Sequence, residues 1–192
     1  MKNRRLALWI FGPIGSGKSH VMSQLPLEHF TEVVQDAEVE RLLRTAGLPL
    51  DTRRHDASQR DEFRRTRQRV IARLWDMVPV WREAGRNLVF ETTGNKPTLF
   101  RAEVEAGRAA GYHTLACALR VPLSVCRQQN QTRERVLEDA IVEDTWREFE
   151  RFLADGTYAD IFAGSRLEIC ESTEAAVHAA QRWLAERLGS AA

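Results

Sequence analysis

Apolar residues along the chain fall into five short blocks, separated by longer stretches in which apolar positions recur at helical spacing. The first block, Leu6–Phe11, has six consecutive apolar residues, the pattern of a strand buried on both faces of a parallel sheet. Four more strands are predicted at residues 31–35, 87–91, 113–121 and 166–170. Because helical patterns follow the strands, the sequence predicts an α/β domain with a five-stranded parallel sheet and helices on both faces.

The longest helical pattern runs from about residue 56 to residue 84. Phe63, Val70 and Leu74 fall on one apolar stripe of this helix, and Pro79 is expected to kink or split it. Gly156 is expected to open a loop. Shorter helices are predicted over residues 19–24, 37–45, 97–110, 138–153 and 173–188, and another is capped by Ser124.

A glycine-rich loop stands between the first strand and the first helix, and it matches G-x-x-x-x-G-K-[ST] at every fixed position. This segment, called the phosphate loop below, consists of Gly12, Pro13, Ile14, Gly15, Ser16, Gly17, Lys18 and Ser19. Its glycines let successive backbone N–H groups wrap around a phosphate chain at the start of a helix. Lys18 can reach the β- and γ-phosphates, and Ser19 offers a hydroxyl to Mg²⁺. The loop therefore predicts binding of a nucleoside triphosphate and Mg²⁺.

Composition indicates the cellular compartment of the protein but not its substrate. The 192 residues include 28 basic and 27 acidic side chains, so no bulk field directs the chain to nucleic acid or to a membrane. The three cysteines are odd in number and widely spaced, as expected for free thiols in a reducing compartment. No apolar run is long enough to cross a bilayer. We therefore expect a cytoplasmic protein that has no membrane partner.

Two carboxylates follow predicted strands at the edge of the sheet where ligands bind. Asp36 comes after the second strand, where a phosphotransferase needs a base for an acceptor hydroxyl. Alternatively, Asp36 caps the helix that begins at Ala37. Glu91 ends the third strand, where P-loop proteins hold Mg²⁺ with an acidic residue, more often Asp.

Arginines form two groups that could meet anions. Arg127, Arg133 and Arg135 lie between two predicted helices, where an arginine segment could neutralise charge on a transferred phosphoryl group. The alternative is surface salt bridges with neighbouring acidic residues. Arg60 and Arg67 share a face of the long helix with Arg64, and this face either meets an anionic acceptor or is a solvated surface.

These features resemble a group of P-loop kinases that contains the 5′-hydroxyl polynucleotide kinases, the AAA-domain small kinases and the zeta toxins. The resemblance rests on the phosphate loop, Asp36, the turn Glu91-Thr92-Thr93-Gly94 and the run Asn130-Gln131-Thr132-Arg133. It implies a P-loop NTPase fold that uses ATP and Mg²⁺ to phosphorylate an acceptor hydroxyl. Asp36 would be the base, Arg133 a catalytic lid arginine beside Lys18, Arg127 a nucleotide contact, and Ser19 and Glu91 the metal ligands.

On this basis, residues 1–192 form one kinase domain, with a lid at about 124–140 and a helical insert on the substrate side at about 48–84. The acceptor stays open between a small molecule, a nucleotide-sugar and a polynucleotide 5′-hydroxyl. Gln129-Asn130 replaces the arginine-asparagine pair usual in polynucleotide kinases, and the turn at 91–94 together with residues 156–161 is closer to the zeta toxins.

Three alternatives share part of this evidence. The first is a toxin-like kinase that works beside a neutralising partner. The second is an ATP- or GTP-operated switch, because Asn95-Lys96-Pro97-Thr98 resembles the guanine-reading N-K-x-D, although the final Asp is missing. The third is a nucleic-acid-binding module, which depends on the arginine-rich helix alone. The sequence predicts no oligomeric state.

Overall fold

The six-residue apolar block becomes the central strand of the molecule. The computed structural model describes residues 5–189, so residues 1–4 and 190–192 of the predicted domain lie outside the described part. Its strands are β1 (Leu6–Phe11), β2 (Phe30–Val34), β3 (Asn87–Thr92), β4 (His113–Leu119) and β5 (Arg166–Cys170). They form one sheet in the order β2-β3-β1-β4-β5, and every neighbouring pair is parallel. The predicted five-stranded parallel sheet is confirmed.

Helices connect these strands and cover both faces of the sheet. In chain order they are α1 (Lys18–Ser23), α2 (Gln35–Thr45), α3 (Ala57–Glu83), α4 (Pro97–Ala109), α5 (Leu123–Thr132), α6 (Asp139–Ala154), α7 (Thr157–Ile161) and α8 (Thr173–Leu188). A short 3-10 turn, Thr52–Arg54, precedes α3. Within residues 5–189, no helix combines the length and the apolar character needed to cross a membrane.

Residues of β1 alternate between two cores. Leu8 and its even-numbered neighbours pack with α1 and α8, where Trp183 is almost fully buried. Trp9 and its odd-numbered neighbours pack on the other face with α3, α4, α6 and α7. The Trp9 ring stacks on Phe90 with centroids 4.0 Å apart. Burial of each such side chain contributes about 1.5–3 kcal/mol, so these two cores hold the strand ends in place.

Three local expectations differ from the structure. Helix α3 is not split at Pro79, because the fully buried Val78 packs against the sheet just before it, whereas the predicted kink stays a prediction. The loop predicted after Gly156 is wrong: Gly156 is the N-cap of α7, with φ 78°, and Tyr158 is buried behind it. Helix α5 begins at Leu123 after Pro122, so Ser124 is inside the helix rather than at its cap.

The order of the strands determines which chain segments meet at the edge of the sheet. Strands β2, β3 and β1 are neighbours in that order, and both pairs are parallel. The carboxyl ends of the three strands, and the segments that follow them, therefore lie side by side at one edge of the sheet. Gly12, which follows β1, donates its N–H to the Thr92 carbonyl at the end of β3, at 3.3 Å. This edge therefore brings the phosphate loop, the start of α2 and the turn after β3 together.

Candidate active site

The phosphate loop requires glycine for both conformation and space. Gly15 and Gly17 have φ angles of 77° and 90°, a region that other residues enter only with strain. A Cβ on Gly15 would lie 2.2 Å from the Cys126 carbonyl oxygen of α5. Ser16 is buried in the same loop, and its hydroxyl has no hydrogen-bond partner. The loop is thus a close backbone cradle, which fits a phosphate chain.

Lys18 directs its ammonium group back into this cradle. Its Nζ donates hydrogen bonds to the carbonyls of Gly12 and Pro13 at 2.9 and 2.8 Å. Burial lowers the pKa of Lys18, while the carboxylates of Glu91 and Asp36 act in the opposite direction. The ammonium therefore lies among the groups expected to contact a bound triphosphate.

Ser19 and Glu91, the two residues predicted to bind magnesium, are in contact. The Ser19 hydroxyl donates to Glu91 Oε1 at 3.0 Å, and Glu91 is only 9% exposed. Burial raises the pKa of Glu91, and the charge of Lys18 partly offsets this. Across residues 5–189, no group of three or more His, Cys, Asp or Glu side chains could hold a metal ion. One hydroxyl and one carboxylate nevertheless fit Mg²⁺, which completes its shell with water and phosphate oxygens.

Asp36 lies at the same edge, as the second residue of α2. The helix is capped by Val34 with no side-chain hydrogen bond, so the structure does not show Asp36 in the capping role. Its carboxylate forms an ion pair with Arg135. Burial raises the pKa of Asp36, but Arg135, Arg133 and Lys18 outweigh it and hold the pKa below its usual value. Asp36 is therefore an ionised carboxylate, and 47% of its side chain is exposed.

The segment between α5 and α6 supplies the arginines that surround Asp36. Arg135 is 4% exposed, pairs with Asp36, and places its Nε 3.3 Å from Glu40 Oε1. Arg133 donates through Nε to the carbonyl of Arg135, and its Nη2 is buried without a partner. The unpartnered guanidinium nitrogen of Arg133 is a donor that fits a phosphate oxygen.

Arg127 and Arg135 depart from the sequence-based assignment in different ways. Arg127 donates from Nη2 to Glu143 of α6 at 2.7 Å, so its contact with a nucleotide stays a prediction. The sequence groups Arg135 with Arg127 and Arg133 and assigns it no specific role, yet it is the arginine that pairs with Asp36. Arginine and glutamate alternate at residues 133–135, and that pattern gives no signal for which side chain is buried.

Two cavities lie near the candidate site, one beside the phosphate loop and one beside Arg67. The α5–α8 cavity has a volume of about 430 Å³ beside the phosphate loop, and its walls include Gln129 and Thr173. The α3 cavity has a volume of about 580 Å³, and its walls include Arg67 and Lys96. Sequence alone does not indicate that Gln129 and Thr173 line one cavity, because α5 and α8 meet only through the order of the strands. Lys96 lines the α3 cavity and not the cavity beside the phosphate loop. The structure therefore does not support the interpretation of Asn95-Lys96-Pro97-Thr98 as a guanine-binding motif.

The turn after β3 also contacts α7. The Tyr158 hydroxyl donates to the Gly94 carbonyl at 3.2 Å, and Gly94 has a φ angle of 82°. A Cβ on Gly94 would lie 2.8 Å from that hydroxyl oxygen. The two segments that resemble zeta toxins in sequence are therefore in direct contact.

Comparison with known proteins places this geometry in a wider group. The family model described as "AAA domain" matches residues 8–154 of this chain. No curated protein matches the sequence. Among solved structures, a proposed kinase from Chloroflexus aurantiacus aligns with a TM-score of 0.60 and 15% identity, over 98% of this chain and 99% of that one. The PezAT toxin–antitoxin structure from Streptococcus pneumoniae aligns with a TM-score of 0.53 and 13% identity, over 89% of this chain and 68% of that one. At such identities, the likeness establishes the fold alone.

Proposed function

This chain belongs to the AAA domain family, whose model matches residues 8–154, and from that premise we propose that it is an ATP- and Mg²⁺-dependent phosphotransferase acting on a hydroxyl acceptor. The observation that carries the proposal is the position of Asp36. Asp36 lies in the first turn of α2, directly after β2, at the edge of the parallel sheet where the phosphate loop follows β1. A protein that only binds a nucleotide needs no carboxylate and arginine pair at this point.

In the proposed reaction, the phosphate loop holds the β- and γ-phosphates through its N–H groups and Lys18. Ser19 and Glu91 hold Mg²⁺, which would neutralise phosphate charge when bound. Asp36 orients the acceptor hydroxyl and accepts its proton. The acceptor oxygen forms a bond to the γ-phosphorus while the bond from phosphorus to the β–γ bridging oxygen breaks, and ADP leaves. Arg133 stabilises the equatorial oxygens of the transferred group.

The low pKa of Asp36 is compatible with this role. Phosphoryl transfer proceeds in most analyses through a loose transition state, and catalysis depends mainly on positioning and electrostatic stabilisation. An ionised carboxylate can orient the hydroxyl throughout and receive its proton late. In this scheme, residues at about 124–140 form the lid that carries Arg133, and the insert at about 48–84 forms the wall on the acceptor side.

Acceptor-dependent ADP release tests the proposal. The panel contains 5′-hydroxyl oligonucleotides, nucleosides, sugars, nucleotide-sugars, and aminoglycoside- or chloramphenicol-like drugs. We expect at least one hydroxyl compound to raise ADP release and to gain one phosphate by mass spectrometry. ADP release that no compound raises, together with equal turnover in Lys18→Ala, would contradict the proposal.

The contact between Gly94 and Tyr158 supports a more specific version, a toxin-like kinase with a neutralising partner. The PezAT structure, described as a chromosomal toxin–antitoxin system, shares the fold at a TM-score of 0.53. Expression of the wild-type chain in bacteria should then arrest growth, and Asp36→Ala should relieve the arrest. Normal growth with abundant wild-type protein argues against the toxin version and leaves the phosphotransferase proposal in place.

A further inference from the structure

We propose that the α3 cavity binds an organic molecule through an anionic group, a phosphate or a carboxylate, and that Arg67 and Lys96 hold this group. The proposal depends on the proposed function only in identifying this molecule as the acceptor. The anion site itself is argued from charge, burial and the walls of the cavity.

The charges on the walls of the α3 cavity are unbalanced. Its walls carry four cationic side chains and one carboxylate, Glu138. That carboxylate lies 3.6 Å from Arg60 Nη2, and Arg64 is 3.2 Å from Asp61 on its own helix. Two of the four cations therefore have acidic neighbours. Arg67 and Lys96 remain without an ion-pair partner among the described residues.

Arg67 differs in this respect from the arginines around it. Six nearby arginines, in the turn before α3 and along its first half, each have a carboxylate within 4 Å: Arg53, Arg54, Arg60, Arg64, Arg65 and Arg69. Arg67 is half-buried and has none. Burial lowers the pKa of Arg67, while Asp36 acts in the opposite direction from a distance. A guanidinium group withdrawn from water is costly unless an anion completes it, and an oxyanion can accept two parallel hydrogen bonds from it.

The position of Arg67 connects the cavity to the proposed reaction. Arg67 lines both the α3 cavity and a narrow cleft whose walls also include Gln35, the residue before Asp36, and Thr92, the last residue of β3. Its charge also influences Asp36. A molecule with its anionic group on Arg67 could thus extend its hydroxyl towards Asp36. Lys96, the N-cap residue of α4, adds a second positive charge to the walls of the α3 cavity.

The remaining walls indicate an organic anion rather than a free inorganic ion. Phe63, Ile71 and Ile141 line the same cavity, whose volume is about 580 Å³. Such a space holds a carbon skeleton in addition to one charged group. His55 also lines it and is 4% exposed; its Nε2 meets the Pro49 carbonyl at 2.7 Å, while its Nδ1 has no partner.

Isothermal titration calorimetry of the full chain, with ADP and Mg²⁺ present to occupy the phosphate loop, tests this site. Gluconate and ribose 5-phosphate are the carboxylate and phosphate probes, and glucitol and ribose are their neutral counterparts. We expect at least one anionic probe to bind about tenfold or more tightly than its neutral counterpart. Arg67→Gln should then weaken binding of that probe by about tenfold or more, the range expected for a charge-assisted pair.

Matched variants separate the site from general charge effects. Arg65→Gln removes an equal charge two residues away, where the side chain pairs with Glu62 at 3.1 Å and does not line the cavity. It should leave binding unchanged. Lys96→Gln alters an exposed side chain, so it should fold normally and weaken the same probe severalfold. Equal binding of anionic and neutral probes, or equal effects of Arg67→Gln and Arg65→Gln, would overturn the proposal.

The binding readout needs no turnover, so the two proposals can fail separately. Arg67-dependent binding without phosphate transfer to any acceptor would refute the phosphotransferase and retain the anion site. Phosphate transfer to an acceptor, together with equal binding of the anionic and neutral probes, would refute the anion site and retain the phosphotransferase.

Discussion

Replacement of Arg135 by Met tests how the cluster around Asp36 is held together. The guanidinium is 4% exposed and pairs with two carboxylates, Asp36 and Glu40. Loss of one partner from a fully buried ion pair costs about 3–5 kcal/mol, because a charge is left unpaired in the interior. Here the carboxylates are 47% and 25% exposed, so water can solvate them. We therefore expect Arg135→Met to lower the free energy of unfolding by about 1–3 kcal/mol.

Urea unfolding at pH 7 measures this difference, and Arg41→Met is the matched control. Arg41 forms an exposed pair with Glu38 within α2, so its replacement should cost no more than about 1 kcal/mol. If Arg135→Met costs less than about 0.5 kcal/mol, or no more than Arg41→Met, the buried ion-pair cluster does not stabilise the fold as described.

The same variant has a pH signature. Because the folded-state pKa of Asp36 is lowered, its contribution to stability is complete above the unfolded value of about 3.9 and is lost as pH falls through the folded value. Arg135 is the largest of the charges that lower this pKa. The stability difference between wild type and Arg135→Met should therefore be constant near neutral pH and shrink below about pH 4. A difference that stays constant down to pH 3 would refute the assignment.

Three further predictions concern nucleotide binding and transfer. Gly15→Ala should abolish ATP binding in a titration, because the new Cβ would lie 2.2 Å from a backbone carbonyl oxygen. Gly164→Ala is the control and should bind ATP, because Gly164 has a similar φ of 78° but no atom within 4 Å of the Cβ position. Ser19→Ala should raise the Mg²⁺ concentration for half-maximal turnover by about tenfold or more. Ser23→Ala should not, because the Ser23 hydroxyl donates to the His20 carbonyl and accepts from the Gln24 side chain, away from Glu91. Arg133→Gln should lower kcat by about a thousandfold in steady-state assays while the protein stays folded. A loss of kcat below about tenfold would show that Arg133 does not stabilise the transferred phosphoryl group.

The sequence predicts the sheet well because its strands are continuous apolar runs. Leu6–Phe11 is buried at every position, a pattern that few other local structures produce. The phosphate loop can also be predicted from the sequence, because its glycines meet a local requirement for positive φ angles and for space beside the backbone. The Ser19–Glu91 contact also follows from sequence, since residues after neighbouring parallel strands meet at one edge.

What the sequence could not provide depends on distant contacts. Arg135 has acidic residues beside it in the chain and Arg127 has none within six residues, yet Arg135 is buried against Asp36 of α2 and Arg127 bonds to Glu143 of α6. Burial of that kind is decided by how the segment after α5 packs on α2. The continuity of α3 through Pro79 likewise follows from tertiary packing of Val78, which outweighs the local preference to break.

The central claim is that Asp36 prepares an acceptor hydroxyl for transfer of the γ-phosphate. Its most direct test is the rate of phosphate transfer from γ-labelled ATP to the best acceptor of the panel, with ATP affinity measured in parallel. Asp36→Asn should lower kcat by about 10²–10⁴-fold and leave ATP affinity nearly unchanged, while Asp76→Asn, at an exposed position of α3, should match wild type. Transfer at the wild-type rate by folded Asp36→Asn would contradict the account.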